Sequence, residues 1–417
     1  MAIALYNLGI SAYSLIIQIA GLFNQKAKLL VEGRKETWAK LEKFSQENHE
    51  NVFWFHAASL GEFEQGRPII ERLKKTSPSS TVLLSFFSPS GFEVRKNYLG
   101  ADMVVYLPSD NARNARRFLD LTRPKAALFI KYEFWYHYLK ECSNRRVLTL
   151  SVSSIFRSEQ PFFKFYGRLH RNMLKCFDHI FVQDEKSETL LKTLKLPNLS
   201  VSGDTRFDRV IDISAGKKYI QEIDVFKQEE KLMVLGSVWP SDMEVLLPLL
   251  MEYKNELKFA IAPHNIGEQD VMEIMNQLGT AAIRYSKVND QPLQDYRFLI
   301  IDNMGMLSSL YGYGEFAYVG GAFRKTLHNT LEAAVHGIPV FFGFDETNVK
   351  FREAIELEKT GAGISIEDTS ELIEKFRSLF EDEEQRQKLG KIASEYVTNN
   401  TGATEMIVNY LVEKMKK

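Results

Sequence analysis

The chain has 417 residues and a mass of 48.0 kDa, enough for two or three domains at about 100–200 residues each. Apolar residues make up 45% and charged residues 26%, which excludes a disordered chain. Lys+Arg 53 against Asp+Glu 54 gives a net charge of −1 and argues against a protein that coats nucleic acid. The two cysteines, Cys142 and Cys176, cannot staple a secreted fold of this size. No C-x-x-C or Cys/His cluster offers zinc ligands, and a reducing, cytosolic setting is the simplest reading.

Residues Ala2 to Gln25 carry no charge. As a helix, the apolar stretch Ile3–Phe23 would span about 31 Å, close to a bilayer core of ~30 Å. It has no basic n-region or small-residue cleavage site, so it does not read as a removable signal peptide. Lys26, Lys28, Arg34 and Lys35 follow it in a basic stretch read as a linker. By the positive-inside rule these would keep the globular part in the cytoplasm. Asn7, Ser11, Ser14 and Gln18 recur at helical spacing and form one neutral polar stripe. A spanning anchor, an interfacial helix and a helix packed on the protein body all fit this pattern. Membrane association, through a helix over 1–25, is the expectation.

Next, apolar β-rich runs alternate with amphipathic helical patterns. Runs at Val52–Ser59, Thr81–Phe87, Asp102–Pro108, Ala126–Lys131, Arg146–Ser153 and His179–Gln183 form one series. A second series is Lys231–Ser237, Lys258–Pro263, Arg297–Asp302, Phe316–Gly321 and Ile338–Gly343. The alternation predicts an α/β protein with mostly parallel sheets. A polar stretch from Asp208 to Glu230 separates two Rossmann-like domains, 26–209 and 210–417, expected to face a cleft. Such sheets bind ligands at the carboxyl ends of their strands. Between Asn111 and Arg171, thirteen Lys/Arg stand against four Asp/Glu. This excess of nine is either a solvated basic face or a surface for a polyanion such as phosphorylated lipid.

The strand ends carry the candidate chemistry. Glu62, beside Gly61 just past the first strand, reads as a helix-capping acid or as a general base. Ser88, Ser90 and Gly91 lie at the next strand end, where hydroxyls and a glycine suit an anion. Glu133 ends a fourth strand inside the basic stretch. In the second half, Gly236 and Ser237 are expected at a helix N-terminus, and Pro263 and His264 end the next strand. Gly320 and Gly321 precede Arg324 and Lys325, and a helix is expected to begin near His328 and Asn329 with Glu332 one turn in. Glycines admit a ligand to the backbone, a helix start favours phosphate, and Glu332 could accept from ribose hydroxyls. The competing reading of each is an ordinary strand–loop–helix unit. No D-x-D, no phosphate loop of the G-x-x-x-x-G-K type and no H-x-x-x-H pair is present. Phosphate handling therefore falls to helix ends and Lys/Arg, without an obvious metal site or cofactor.

In this order and spacing, Gly33-Arg34-Lys35, HAASLGE, SPSG, LPSD, YEFW, GDTRFD, GSVWPSDME, APHN and GGA…HNTLEAA resemble the 3-deoxy-D-manno-octulosonic acid (Kdo) transferases of lipopolysaccharide synthesis. The resemblance covers nearly the whole chain. It implies a GT-B fold, CMP-Kdo as donor and a phosphorylated lipid A precursor as acceptor. It implies inversion without an essential metal, at the cytoplasmic face of the bacterial inner membrane. It makes Glu62 the catalytic base and Glu133 a second acid on the acceptor side. The sequence departs from the family pattern at His264 (usually Arg), at Thr326-Leu327 (usually a glycine pair), at Tyr136 (usually Pro) and at Lys131 (usually an acid). A UDP-sugar transferase or epimerase of the same architecture, and a non-catalytic membrane-surface protein, are the alternative functions.

Overall fold

The computed structural model describes residues 2–47, 49–216, 218–289, 291–346 and 351–416. It divides into two compact units, 1–208 with 401–417, and 209–400.

In the first unit, seven parallel strands form one sheet: β1 (Val52–Ala57), β2 (Thr81–Phe86), β3 (Met103–Tyr106), β4 (Ala126–Ile130), β5 (Leu148–Ser154), β6 (His179–Val182) and β7 (Leu199–Val201). The spatial order is β3-β2-β1-β4-β5-β6-β7. β1 is buried along its whole length, because helices cover both faces of the sheet; its sequence VFWFHA is therefore nearly continuous in apolar residues rather than alternating. Trp54 joins the core on one face with Leu83 and Phe129. Phe53 and Phe55 join the other with Val82, Leu84 and Leu128.

The second unit repeats the plan with β8 (Leu232–Val238), β9 (Lys258–Pro263), β10 (Ala282–Arg284), β11 (Phe298–Ile300), β12 (Phe316–Val319), β13 (Val340–Gly343) and β14 (Gly363–Ile366). Their order is β10-β11-β9-β8-β12-β13-β14. Each sheet thus reverses its winding direction once, between β1 and β4 in the first unit and between β8 and β12 in the second. Loops leaving the carboxyl ends of such a strand pair diverge and open a ligand crevice.

The N-terminal residues form helix α1 (Ala2–Ala20), shorter than the expected Ile3–Phe23 because the chain turns at residues 21–23. Two residues of the polar stripe, Asn7 and Ser14, contact the unit, whereas Ser11 and Gln18 are exposed. Ser14 Oγ lies 3.0 Å from Ser109 Oγ, Asn7 Oδ1 is 2.7 Å from His137 Nε2, and Tyr6 donates to Asp110 at 2.5 Å. Leu5, Leu8, Leu15, Ile16 and Ile19 are exposed on the helix, as are Leu22 and Phe23 after it.

The basic stretch is not a linker. It forms α2 (Gln25–Gln46), capped by Asn24, whose side chain accepts from the backbone of Lys26 and Ala27. Leu30, Thr37, Leu41 and Phe44 are buried on one stripe, so the helix is held by core packing.

The division at residue 210 also differs at the C-terminus. The helix Ala403–Met415 returns to the first unit and buries Ile407, Val408 and Leu411 in the same core as Phe53 and Phe55. Asp208 caps it, accepting from Gly402 N at 2.6 Å and Thr404 N at 2.8 Å. Replacing Asp208 with Ala should cost about 0.5–2 kcal/mol, the usual range for a lost cap. Chemical denaturation of the first unit should register that loss, and an unchanged midpoint would show that the cap contributes nothing.

Candidate active site

Helix α3 (Leu60–Thr76) follows β1 and is capped by Ser59, whose side chain accepts from Glu62 N at 3.4 Å. Glu62 reciprocates, its Oε2 accepting from Ala58 N at 2.6 Å. The capping role is therefore real, but it engages one carboxylate oxygen. Oε1 has no hydrogen-bond partner among the described residues. Burial first, and then repulsion from Glu133, push the Glu62 carboxyl up to about 7. The Ala58 N–H and Lys131 pull the other way without restoring an ordinary value. A carboxylate that binds its proton near neutrality, with one oxygen unengaged, is matched to general-base work.

Glu133 sits in the turn three residues beyond β4 rather than at the strand end. It is 7% exposed, and its Oε2 accepts from Trp135 Nε1 at 2.7 Å and lies 2.9 Å from His56 Nε2. The His56 ring is fully buried and continues through Nδ1 to Ser85 Oγ at 2.8 Å; that hydroxyl also receives Trp54 Nε1 at 2.7 Å. Nδ1 also lies 3.1 Å from the Ser85 carbonyl oxygen, and Trp135 Nε1 lies 3.0 Å from Nε2. The chain Trp54–Ser85–His56–Glu133 fixes the second acid from beneath the sheet edge. Lys131 turns left-handed (φ 61°) at the mouth of β4, a conformation that costs a non-glycine residue energy and concentrates at functional sites.

Gly61 lies in the first turn of α3, exposed, with open space where a side chain would stand. Ser88 caps the short helix Pro89–Arg95, and its hydroxyl lies 2.8 Å from that of Ser90. Gly91 is buried; a Cβ there would lie 2.3 Å from the Phe86 ring. It thus serves packing rather than ligand approach. The helix spans seven residues, and the Ser88 side chain makes no capping hydrogen bond to it.

In the second unit the crevice is organised by Asp242, which is fully buried. Its carboxylate accepts from Trp239 N at 2.8 Å, Tyr318 Oη at 2.9 Å and Gly321 N at 3.0 Å, tying the exit of β8 to the exit of β12. Gly236 and Ser237 lie within β8, not at a helix start. Trp239 is the residue that caps the helix Pro240–Tyr253. Ser237 is left-handed (φ 55°) at a break in the β8–β9 register.

A Cβ on Gly320 would lie 2.5 Å from the Ser237 carbonyl oxygen and 2.8 Å from Asp242 Oδ2, and Gly321 has φ 96°. Contacts within the chain already require a glycine at both positions.

The expected helix at His328-Asn329 is also corrected. His328 and Asn329 lie in the loop, and the helix is a single turn, Leu331–Ala334. Glu332 accepts from Ser308 Oγ at 2.7 Å.

His264 follows Pro263, stacks on Trp239 at 3.9 Å and lies 4.8 Å from the His328 ring. Burial, then His264, push His328 down to about 4, so its imidazole is neutral at pH 7 and brings no charge to a phosphate. The charge falls to Arg324, whose guanidinium lies 5.5 Å from the Trp239 ring centroid, and to Lys325. Among the described residues no three His, Cys, Asp or Glu side chains gather as metal ligands.

Residues 34–209 match the family model described as 3-deoxy-D-manno-octulosonic-acid transferase. The 3-deoxy-D-manno-octulosonic acid transferase of Haemophilus influenzae is 25% identical over 421 residues, spanning 95% of each chain. That of Aquifex aeolicus is 27% identical over 344 residues, 81% of this chain and 88% of its own. Over most of its length the chain is thus similar to Kdo transferases.

The chain also resembles the UDP-GlcNAc 2-epimerase of Neisseria meningitidis in fold, with a TM-score of 0.58 at 15% identity over 87% of this chain and all of the other. The fold is of GT-B type.

The sequence reads Glu62 just beyond the first strand and Glu133 at the end of the fourth; in the structure they follow β1 and β4, the strands that flank the switch point, and Glu133 repels the Glu62 carboxylate. His56, Trp135 and Asp242 were not foreseen as part of either site. Their signal was a polar residue inside an apolar strand, a tryptophan two residues after the acid, and an acid three residues beyond an N-cap.

Because Glu133 raises the Glu62 carboxyl, Glu133→Gln should move the acid limb of the kcat/KM profile to lower pH. In the parent enzyme that limb should lie near pH 7, with activity falling below it as Glu62 takes up its proton. A profile unmoved by the substitution would break the link between the two acids.

Proposed function

We propose that the protein moves Kdo from CMP-Kdo to a sugar hydroxyl of a phosphorylated lipid A precursor, with inversion and without a required metal. The observation that carries the reading is the Glu62 carboxyl, held near neutrality, with one oxygen unengaged at the switch point of the first unit. Glu62 takes the proton of the acceptor hydroxyl as that oxygen attacks the anomeric carbon of Kdo. The bond to the CMP phosphate breaks, and CMP departs as the anion. Arg324 and Lys325, in the second unit, answer the phosphate charge. Gly236, Ser237, Pro263, His264, Gly320, Gly321, His328, Asn329 and Glu332 shape the donor site around them. Gly61, Ser88, Ser90, Gly91 and Glu133 shape the acceptor side.

We further propose that the enzyme works at the cytoplasmic face of the bacterial inner membrane, against an anionic surface. The support is the two-sided character of α1: Asn7 and Ser14 are hydrogen-bonded to the first unit, while large apolar side chains are exposed on the helix. A helix tethered along the protein in this way suits lying in the interface rather than crossing it. Part of the basic excess is engaged internally, since Arg117 pairs with Glu42 at 2.6 Å and stacks on Trp38.

Mass spectrometry of a lipid A precursor incubated with CMP-Kdo and the full chain tests the reaction, with UDP-sugars as the competing donors. Glu62→Gln should lower kcat at least about a hundredfold. The stability consequence has a definite sign. A carboxyl whose folded value lies above its unfolded value of 4.5 costs stability as pH rises from there to about 7. Removing that charge should therefore leave the melting temperature at pH 8 unchanged or higher. Retained turnover in the variant would remove Glu62 from the mechanism.

A further inference from the structure

A cavity of about 560 Å³ lies between α1, α2 and the segment after β3, within the ~300–1,000 Å³ range of small-ligand sites. Arg34 lines it. The residue as a whole is half-buried, yet its Nε and Nη2 atoms are covered from solvent and have no hydrogen-bond partner. Among the described residues no carboxylate pairs with Arg34; the guanidinium lies over the Phe87 ring at 5.1 Å. Burial lowers its proton affinity, and only the tyrosines Tyr13, Tyr138 and Tyr106 oppose that. A buried guanidinium with unmet donors is costly unless an anion meets it.

The backbone is built to hold it there. A Cβ on Gly33 would lie 2.2 Å from the Tyr106 ring, so the glycine lets α2 press onto β3 and turns the next residue into the cavity.

The other lining groups define the ligand. Lys35, Asn114 and the Ser109 hydroxyl add polar contacts, whereas Ile17 and Leu22 form an apolar wall. Leu22 is 77% exposed and continues into the outward apolar face of α1. An anionic head with hydrocarbon leaving over Leu22 matches this lining. Phe87 stacks on Trp135 at 4.7 Å, and Trp135 is bonded to Glu133, so the cavity stands one aromatic layer from the acidic pair.

We infer that the Arg34 cavity binds the phosphomonoester of the glycolipid acceptor and so holds the acceptor's sugar toward Glu62. The inference rests on the transfer reaction proposed above. Arg34 acts as a binding and positioning residue, with fork geometry suited to phosphate.

The test compares the full chain with Arg34→Gln, using a lipid A precursor with and without its phosphates. Arg34→Gln should raise the KM for the phosphorylated acceptor about tenfold or more, the scale of a lost charge-assisted contact, with kcat largely kept. Removing the phosphates should raise the parent KM by the same factor, and the variant should then lose nothing further. Additive losses, or a parent-like KM in the variant, would overturn the assignment.

A second arm does not depend on catalysis. Phosphatidylcholine vesicles doped with phosphatidic acid should bind the parent better than vesicles doped with phosphatidylserine, and Arg34→Gln should abolish that preference. If the chain transfers no Kdo, the proposed reaction fails and this arm alone decides the site. Stabilisation of the parent by inorganic phosphate, with no preference for phosphatidic acid, would mark a free-anion site and overturn the lipid assignment. Should Arg34→Gln fail to fold, Gln18→Trp, which fills the cavity from the exposed side of α1, must produce the same two losses; a folded Gln18→Trp with neither loss would refute the site.

Discussion

Both units depend on one topological constraint. β1 pairs with β2 on one side and β4 on the other, and β8 pairs with β9 and β12 in the same way. The chain therefore leaves the carboxyl ends of neighbouring parallel strands in opposite directions, and no connection covers the gap. Several unusual features collect there. In the first unit it is Glu62 after β1 and Glu133 after β4; in the second it is Ser237 after a register break and the Gly320-Gly321 pair. The left-handed residues Lys131 and Ser237 stand at these same exits. Burial by flanking helices then supplies the low-polarity surroundings that set the carboxyl of Glu62 apart from an ordinary surface acid.

Each gap is held in shape by one buried acid with several donors. Glu133 is gripped by Trp135 and His56, and Asp242 by two backbone N–H groups and a tyrosine hydroxyl. In the second unit burial pushes the Asp242 carboxyl up while those hydrogen bonds pull it down. Such networks rigidify a loop when every member is satisfied. Asp110 does related work at the edge of the first unit. It accepts from Tyr6 and from the backbone of His137 and Tyr138, so one carboxylate anchors both α1 and the start of the helix Tyr136–Asn144. Helix α1 and the YEFW segment that carries Glu133 are thus tied to a common point.

Much of this was legible in the sequence. Eleven of the strands announce themselves as apolar runs followed by helical periodicity, because strands buried on both faces leave a near-continuous hydrophobic signature. The three that do not are β7, β10 and β14, edge strands of three or four residues, too short to show a period. α2 was hidden for a different reason. Its surface charges dominate the composition, although Leu30, Thr37, Leu41 and Phe44 recur at helical spacing. The neutral stripe of α1 was visible, but what it faces depends on Ser109 and His137, distant in sequence. Glu62 stands out by its place after the first strand; its capping bond engages one carboxylate oxygen and leaves the base reading open. The helix at His328 was misread because HNTLEAA has helical composition; Thr330 and the one-turn Leu331–Ala334 are closed off by Gly337-Ile338-Pro339 before a second turn can form.

The central claim is that the first unit holds a carboxyl near neutrality at Glu62. The direct measurement is a carbon-13 NMR titration of glutamate-labelled protein, with the Glu62 carboxyl resonance assigned by its absence in Glu62→Gln. The account predicts a midpoint near 7 for that resonance. A midpoint in the ordinary glutamate range, about 4.3, would contradict it and leave Glu62 as a helix cap alone.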